Sequence, residues 1–422
     1  MADPRDDVAP QCGACDAARV PGDRHPFRWV IFGAMAGVYY AFGVMVLSIP
    51  PMITTVRDDL GISRTQMGLA LGAWALIYIV TAPPAGRIVD RIGLGPSIAI
   101  GGSFVAISGF ARAGAQGLGT LWIAIAIFGI GGPLISSAAP KLIAMWFGDD
   151  SERRLAIGLY TTAPALGTVT SLLLTNSVLL PALGGWREVI VVYSLLAVAA
   201  TAVWSLTSWL GPPAPQAASF SAKAQKGEWK RLLESKGVRL ALGLGLGVFF
   251  VNHGLASWLP NLLETDSELS AAAASNWVAL SIGIGIIASM VLPRQATVDR
   301  RAGVLASVML VMAISLSVIA VGPPGSDVVA TLVLGVRAAT IPLIILILMD
   351  AERVTTANMG LANGLWFSAA EIGGAAGPLV VGAISDTSGG FSAALGVLVA
   401  SLVVMIVTVL AFGREEAGSG SV

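Results

Sequence analysis

Twelve stretches of this chain, each about 20 residues long and almost wholly apolar, constrain its fold more than any other feature. A helix rises about 1.5 Å per residue, so such a stretch crosses the roughly 30 Å hydrocarbon layer of a bilayer. No water in that layer can satisfy backbone N–H and C=O groups, so each stretch must be helical. In the first half the predicted spans run 29–53, 67–86, 95–113, 119–147, 155–180 and 188–210. In the second half they run 238–261, 271–292, 302–321, 328–349, 356–382 and 390–412. Charged residues make up 12% of the 422, against roughly 25% in soluble proteins, so the bilayer is the expected surrounding. Net charge is zero, which gives no reason to expect a nucleic-acid partner.

The remaining segments divide the chain. Residues 1–28 form a polar tail without the basic start and short apolar core of a cleaved signal peptide. Bundles of six helices follow at 29–210 and 238–412, joined by the linker 211–237 and closed by a tail, 413–422. Glu228–Glu234 in the linker reads as a short surface helix. The two cysteines, Cys12 and Cys15, have no histidine close enough to complete a zinc site and read as an incidental CxxC. No cofactor or metal is expected, and no nucleophile–base set or phosphate loop suggests an enzyme.

Lysine and arginine orient the spans. With both termini inside, 19 of the 25 basic residues fall on the inner side and 4 (Arg57, Arg64, Arg112 and Arg187) on the outer. Lys141 and Arg337 lie within spans. The expectation is a multi-pass inner (plasma) membrane protein with cytoplasmic termini.

The halves repeat. PAGRIVDR at 84–91 recurs as PRQATVDR at 293–300, an offset of 209. AIGLYTTAPALG at 156–167 recurs as ANGLWFSAAEIG at 362–373, an offset of 206. A duplicated six-helix unit is an architecture used by transporters, with the substrate site at mid-depth between the repeats.

GRIVDRIG, Gly86–Gly93, carries the G-x-x-x-D-R/K-x-G loop that follows the second helix of the major facilitator superfamily, with Gly86, Asp90, Arg91 and Gly93 in register. The chain resembles that superfamily from about residue 29 to 412. The basic pair the family usually adds is replaced by GLGPS. WFGDDSERRLAIGL (146–159) and GGWRE (184–188) resemble the monocarboxylate, oxalate–formate and cyanate-type branches. The resemblance implies an all-α fold of two pseudo-symmetric six-helix bundles. It also implies alternating access to a small organic anion, coupled to protons, by a protein expected to be monomeric. Efflux of an amphipathic compound and a transporter-shaped sensor stay open as alternatives.

Polar residues at mid-span are the candidate site, because a charge there costs about 2.5–3.5 kcal/mol on insertion scales. Glu371 stands in FSAAEIGGAAGP, where its repeat partner is Ala165. The repeat does not require a carboxylate at that position, and proton coupling is its expected role. Arg337 lies at nearly the same depth and offers a planar fork for a carboxylate, either the substrate's or that of Glu371. His253 and Asn252 on the seventh span join Arg337 as expected substrate contacts, with Tyr39, Tyr40 and Thr161 from the first half. Ser136, Ser137 and Thr162 are further hydroxyls there, although helical hydroxyls often bond their own backbone. Gly86, Asp90, Arg91, Gly93, Asp299 and Arg300 read as gate residues, and Lys141 with its counterpart Asp350 belongs near them.

The charge distribution makes a direct prediction. A reporter fused after Ser221 should give a cytoplasmic signal in intact cells, and a periplasmic signal would overturn the orientation.

Overall fold

The computed structural model describes residues 26–148, 150–212, 227–355 and 358–419. Among them are 12 helical spans long and apolar enough to cross a membrane. The first six are α1 (Phe27–Leu60), α2 (Arg64–Ile92), α3 (Leu94–Ala113), α4 (Leu118–Trp146), α5 (Ser151–Leu183) and α6 (Trp186–Leu210). The second six are α7 (Lys236–Thr265), α8 (Ala271–Gln295), α9 (Val298–Val321), α10 (Ser326–Asp350), α11 (Met359–Ser385) and α12 (Gly390–Gly413). A helix, Glu228–Glu234, precedes α7. Cys12, Cys15 and residues 213–226 of the linker lie outside the described residues. Twelve crossings return the chain to the face on which it began, called the terminal face below.

Several spans run past their predicted ends because breaks are bridged rather than ended. In α1 the α-helix stops at Val46, and Pro50–Met52 form a 3-10 turn before the helix resumes at Ile53. Proline supplies no N–H, so carbonyls there lose their helical donors. Ser171 of α5 donates to one of them, the Leu47 carbonyl, at 2.8 Å, and just before the break Arg112 Nη1 donates to the Met45 carbonyl at 2.8 Å and to Ser48 Oγ at 2.9 Å. Arg112, in the last turn of α3 at the face opposite the termini, is buried, with its guanidinium over the Phe128 ring. In α5 a π-turn at Thr175–Leu179 turns Asn176 toward both halves. Its Nδ2 donates to the Pro51 carbonyl at 2.7 Å and to Ser275 Oγ of α8 at 3.1 Å.

The repeat has a packing cause. Gly167 of α5 lies against the Tyr40 carbonyl of α1, and Gly373 of α11 lies against the Leu246 carbonyl of α7. Both partners of the second contact stand 206 residues beyond those of the first. Glycine lets the backbones approach to a distance any side chain would prevent.

The two bundles meet along α2 and α11. Gly68 of α2 abuts the Pro378 carbonyl, Gly72 the Ala375 carbonyl, and Gly382 of α11 the Arg64 carbonyl. On the face opposite the termini, polar contacts extend this seam. Thr54 donates to Glu264 at 3.0 Å, Asn261 donates to Thr54 at 2.8 Å, and Ser177 donates to Asn276 at 3.4 Å. On the terminal face the ion pairs among the described residues stay within one bundle, as Lys141–Asp90, Arg28–Glu152 and Arg301–Asp350 do, or tie the helix Glu228–Glu234 to the second, as Arg353–Glu234 does. The bundles are therefore joined by hydrogen bonds at the opposite face, with no such bond between them at the terminal face among the described residues.

Overpacking of a close backbone contact typically costs about 1–3 kcal/mol. Gly167→Ala and Gly373→Ala should each lower the thermal unfolding temperature of the purified protein by several degrees. Gly283→Ala, where a Cβ meets nothing within 4 Å, should leave it unchanged.

Candidate functional site

The site lies at mid-depth where α2, α7 and α11 converge. α11 is held one backbone away from α7 at Gly373 and Gly377, which abut the Leu246 and Phe250 carbonyls. This close approach carries Glu371 up to His253. A Cβ on Gly374 would lie 2.7 Å from both Glu371 Oε2 and His253 Nδ1, so acid and imidazole converge on the space that this glycine leaves. Glu371 is 4% exposed, and its Oε2 is buried without a hydrogen-bond partner.

The opposite bundle closes over this pair. Trp74 of α2 stacks on the His253 ring at 5.3 Å with 24° between planes, and Phe249 packs on it at 5.0 Å. One turn along α2, Tyr78 shares a 2.6 Å hydrogen bond with Ser136 of α4 and lies within electrostatic reach of Glu371. Neither Trp74 nor Tyr78 was singled out from sequence. The signal that could have found them is their i, i+4 spacing on the helix that leads into the GRIVDRIG loop, since such residues share a face.

Arg337 sits in a 3-10 stretch of α10, Leu334–Ala339, whose start is packed against α8 at Gly335. It lies within electrostatic reach of His253. Its side chain has no hydrogen-bond or ion-pair partner among the described residues. The sequence expectation offered Glu371 as a partner, and that pair is not formed. The reason is azimuth. α11 is locked against α7 and α2, so Glu371 faces those helices rather than α10.

The other expected contacts divide. Tyr39 hydroxyl lies 3.4 Å from that of Tyr160 on α5, and its ring stacks on Phe42 at 5.6 Å. Tyr40 instead donates to Thr170 at 2.9 Å. Thr161 and Thr162 donate to carbonyls of their own helix, at Ile157 and Gly158. Their donor protons are therefore occupied. Asn252 leaves its Oδ1 buried and unpartnered.

The gate residues lie apart, at the terminal face. Asp90 pairs with Lys141 inside its own bundle. The corresponding pair of the second bundle is Arg301–Asp350, not Asp299 or Arg300, which are both exposed. Arg91 and Gly93 are exposed as well, and Gly93 has a φ of 85° that favours glycine between α2 and α3. A Cβ on Gly86 would meet nothing within 4 Å.

Paired six-helix bundles, meeting at mid-depth over an acid, an imidazole and an unpartnered guanidinium, define a transporter of small solutes. The sequence signature of the Major Facilitator Superfamily matches residues 29–358, and the chain belongs to that family. A hexuronate transporter of Bacillus subtilis is 25% identical over 387 residues, covering 86% of this chain and 89% of that one. A D-galactonate transporter of Escherichia coli is 26% identical over 248 residues, 51% of this chain and 54% of its own. Among solved structures, a bacterial homolog of the human lysosomal transporter Spinster, inward-facing and unoccupied, matches with a TM-score of 0.78. It is 15% identical, over 93% of this chain and 98% of that one. The protein is a multi-pass membrane transporter and not an enzyme.

Proposed function

We propose that this transporter moves a small organic anion, with a hydroxylated monocarboxylate such as a sugar acid as the favoured class, by proton-coupled alternating access. The observation that carries the reading is the Arg337 guanidinium, set at mid-depth without an anionic partner among the described residues. Arginine hardly loses its proton, so it must find an anion or water. A carboxylate substrate supplies the anion. The hexuronate and galactonate carriers among its relatives support the same class.

In this reading Arg337 holds the carboxylate bidentately and the hydroxyl pairs Tyr39–Tyr160 and Tyr78–Ser136 face the rest of the solute. Glu371 carries the proton. Coupling passes through His253, which lies within electrostatic reach of Arg337 and converges with Glu371 at Gly374. An anion on Arg337 cancels its field at His253 and makes a proton on the Glu371–His253 pair more favourable. The terminal face is the cytoplasmic one, and the gate residues Gly86, Asp90, Arg91, Gly93, Asp299 and Arg300 shape its rim.

Two substitutions test this in proteoliposomes supplied with hexuronates, aldonates or simple monocarboxylates. Arg337→Lys keeps the charge and loses the fork, so transport should fall by about tenfold or more while expression stays near wild type. Wild-type transport by Arg337→Lys would rule out bidentate binding. Glu371→Gln should still exchange substrate across the membrane yet fail to accumulate it when a pH step is imposed. Undiminished pH-driven accumulation would remove Glu371 from the proton path.

Efflux of an amphipathic compound is a second reading, favoured by the aromatic cluster of Phe249, Trp366 and Phe367 on α7 and α11. Arg337→Lys should then leave transport of an apolar dye untouched.

A further inference from the structure

At the face opposite the termini, the end of α11 caps the beginning of α2. The first N–H groups of any helix lack partners within it. In α2 the third of them, on Gln66, is met at 3.2 Å by Ser63 Oγ, and the Gln66 side chain accepts in return from the Ser63 N–H at 2.9 Å. The first two are met from the other bundle. Asp386, just past the end of α11, accepts from the Arg64 N–H at 3.2 Å and from the Thr65 N–H at 2.7 Å. It also accepts from the Thr65 hydroxyl at 2.7 Å.

The contact is reciprocal. The Arg64 guanidinium donates to the Ser385 carbonyl, in the last turn of α11, at 3.0 Å and lies over the Phe391 ring of α12 at 4.7 Å. A carboxylate thus sits on the positive end of one helix and a guanidinium on the negative end of the other, each favoured by the helix dipole. Below this clasp, Gly382 and Gly68 let the two helices touch backbone to backbone.

We propose that this clasp between Asp386 and the start of α2 is the latch that holds the opposite face shut, and that it must part whenever the central site is presented to that side. Its purpose rests on the transport reading above, while its geometry does not. The latch is not a proton sensor. Burial acts to raise the Asp386 carboxyl, but the hydrogen bonds from Thr65, Ser63 and Arg64 outweigh it and hold the group below its ordinary value. A carboxyl shifted down contributes stability above its unfolded value, which is lost only as pH falls through the folded one. Arg57, at the end of α1, lies within electrostatic reach of Asp386 and of Arg64, and Asp58 beside Arg57 is the next charge outward. The clasp therefore stays ionised through neutral and mildly acidic conditions.

The test reads conformation, not transport. Spin labels at Gln116→Cys and Pro324→Cys, on opposite-face loops of the two bundles, are placed in the full chain with Cys12→Ser and Cys15→Ser. Distances are measured by double electron–electron resonance in nanodiscs. Loss of a helix cap shifts an equilibrium by about fivefold, so Asp386→Ala should enlarge the long-distance population by about that factor. Thr65→Val removes the hydroxyl bond to Asp386 and should give a smaller shift in the same direction. It serves as the decisive variant if Asp386→Ala does not fold. A wild-type distribution in the decisive variant overturns the latch. Failure of the wild type to transport any organic anion would overturn the functional reading and leave the distance result standing.

Discussion

α11 is pressed between α2 and α7 with no side chain's width to spare on either side, and most of the molecule's organisation follows from that. Gly373 and Gly377 set it against α7, while Gly68, Gly72 and Gly382 set α2 against it. In a bilayer the lipid tails are as apolar as leucine, so helices gain little by burying apolar surface against one another. Close backbone approach and interhelical hydrogen bonds remain as the sources of adhesion. The contact with α7 lies inside a bundle and joins two helices of the same repeat. The contact with α2 lies between bundles and is the one that the proposed alternating access would break and remake. The same helix is thus both a fixed part of one bundle and the removable part of the seam.

That packing also decides where charge can sit. The close approach at Gly373 and Gly377 leaves Glu371 directed at His253 and at the α2 face that carries Trp74 and Tyr78. The first bundle contributes hydroxyls and aromatic rings to the centre, and the second contributes the acid, the imidazole and the guanidinium. The duplicated segments show the division at single positions, where Ala165 and Tyr160 are answered by Glu371 and Trp366. Pseudo-symmetry in the backbone therefore coexists with asymmetry in the site. A charged half and a hydroxylated half suit a solute with an anionic end and a polar, uncharged remainder.

The spans and their duplication were legible because both are properties of one segment at a time: length, hydropathy and a recurring string. Glu371, His253 and Arg337 were legible for the same reason, as rare charges in apolar runs. Their mutual geometry was not. Which helix face a residue presents depends on neighbours that one span's sequence does not contain, and a 3-10 stretch at Leu334–Ala339 alters the azimuth of Arg337 further. The expected Arg337–Glu371 pair failed on that point. The burial of Arg112 at the end of its span was not legible either, because its acceptors, the Met45 carbonyl and Ser48, stand on another helix. Asp386, in SDTSGG, reads as an ordinary turn acid for the same reason, since its partners stand 321 and 322 residues away.

The two faces are built by different physics, and the difference bears on how a cycle could be driven. At the opposite face the bundles are joined by hydrogen bonds to helix ends and by backbone contact, which are short-ranged and directional. At the terminal face the described ion pairs brace each bundle separately. A proton arriving at neutral pH has no group to titrate in the Asp386 clasp, whose hydrogen bonds hold the carboxyl below its ordinary value. If protons drive the cycle, their effect must enter at the centre and reach the latch mechanically. α11 provides the connection, because Glu371 and the residue that follows its last turn, Asp386, lie on one continuous helix and its cap. In the proposed cycle a change in charge at Glu371 would alter how α11 sits against α2 at Trp74 and Tyr78, with Glu371 four turns from the clasp at 3.6 residues per turn. The centre and the latch are then two ends of one lever, and the glycines between them are its bearing surface.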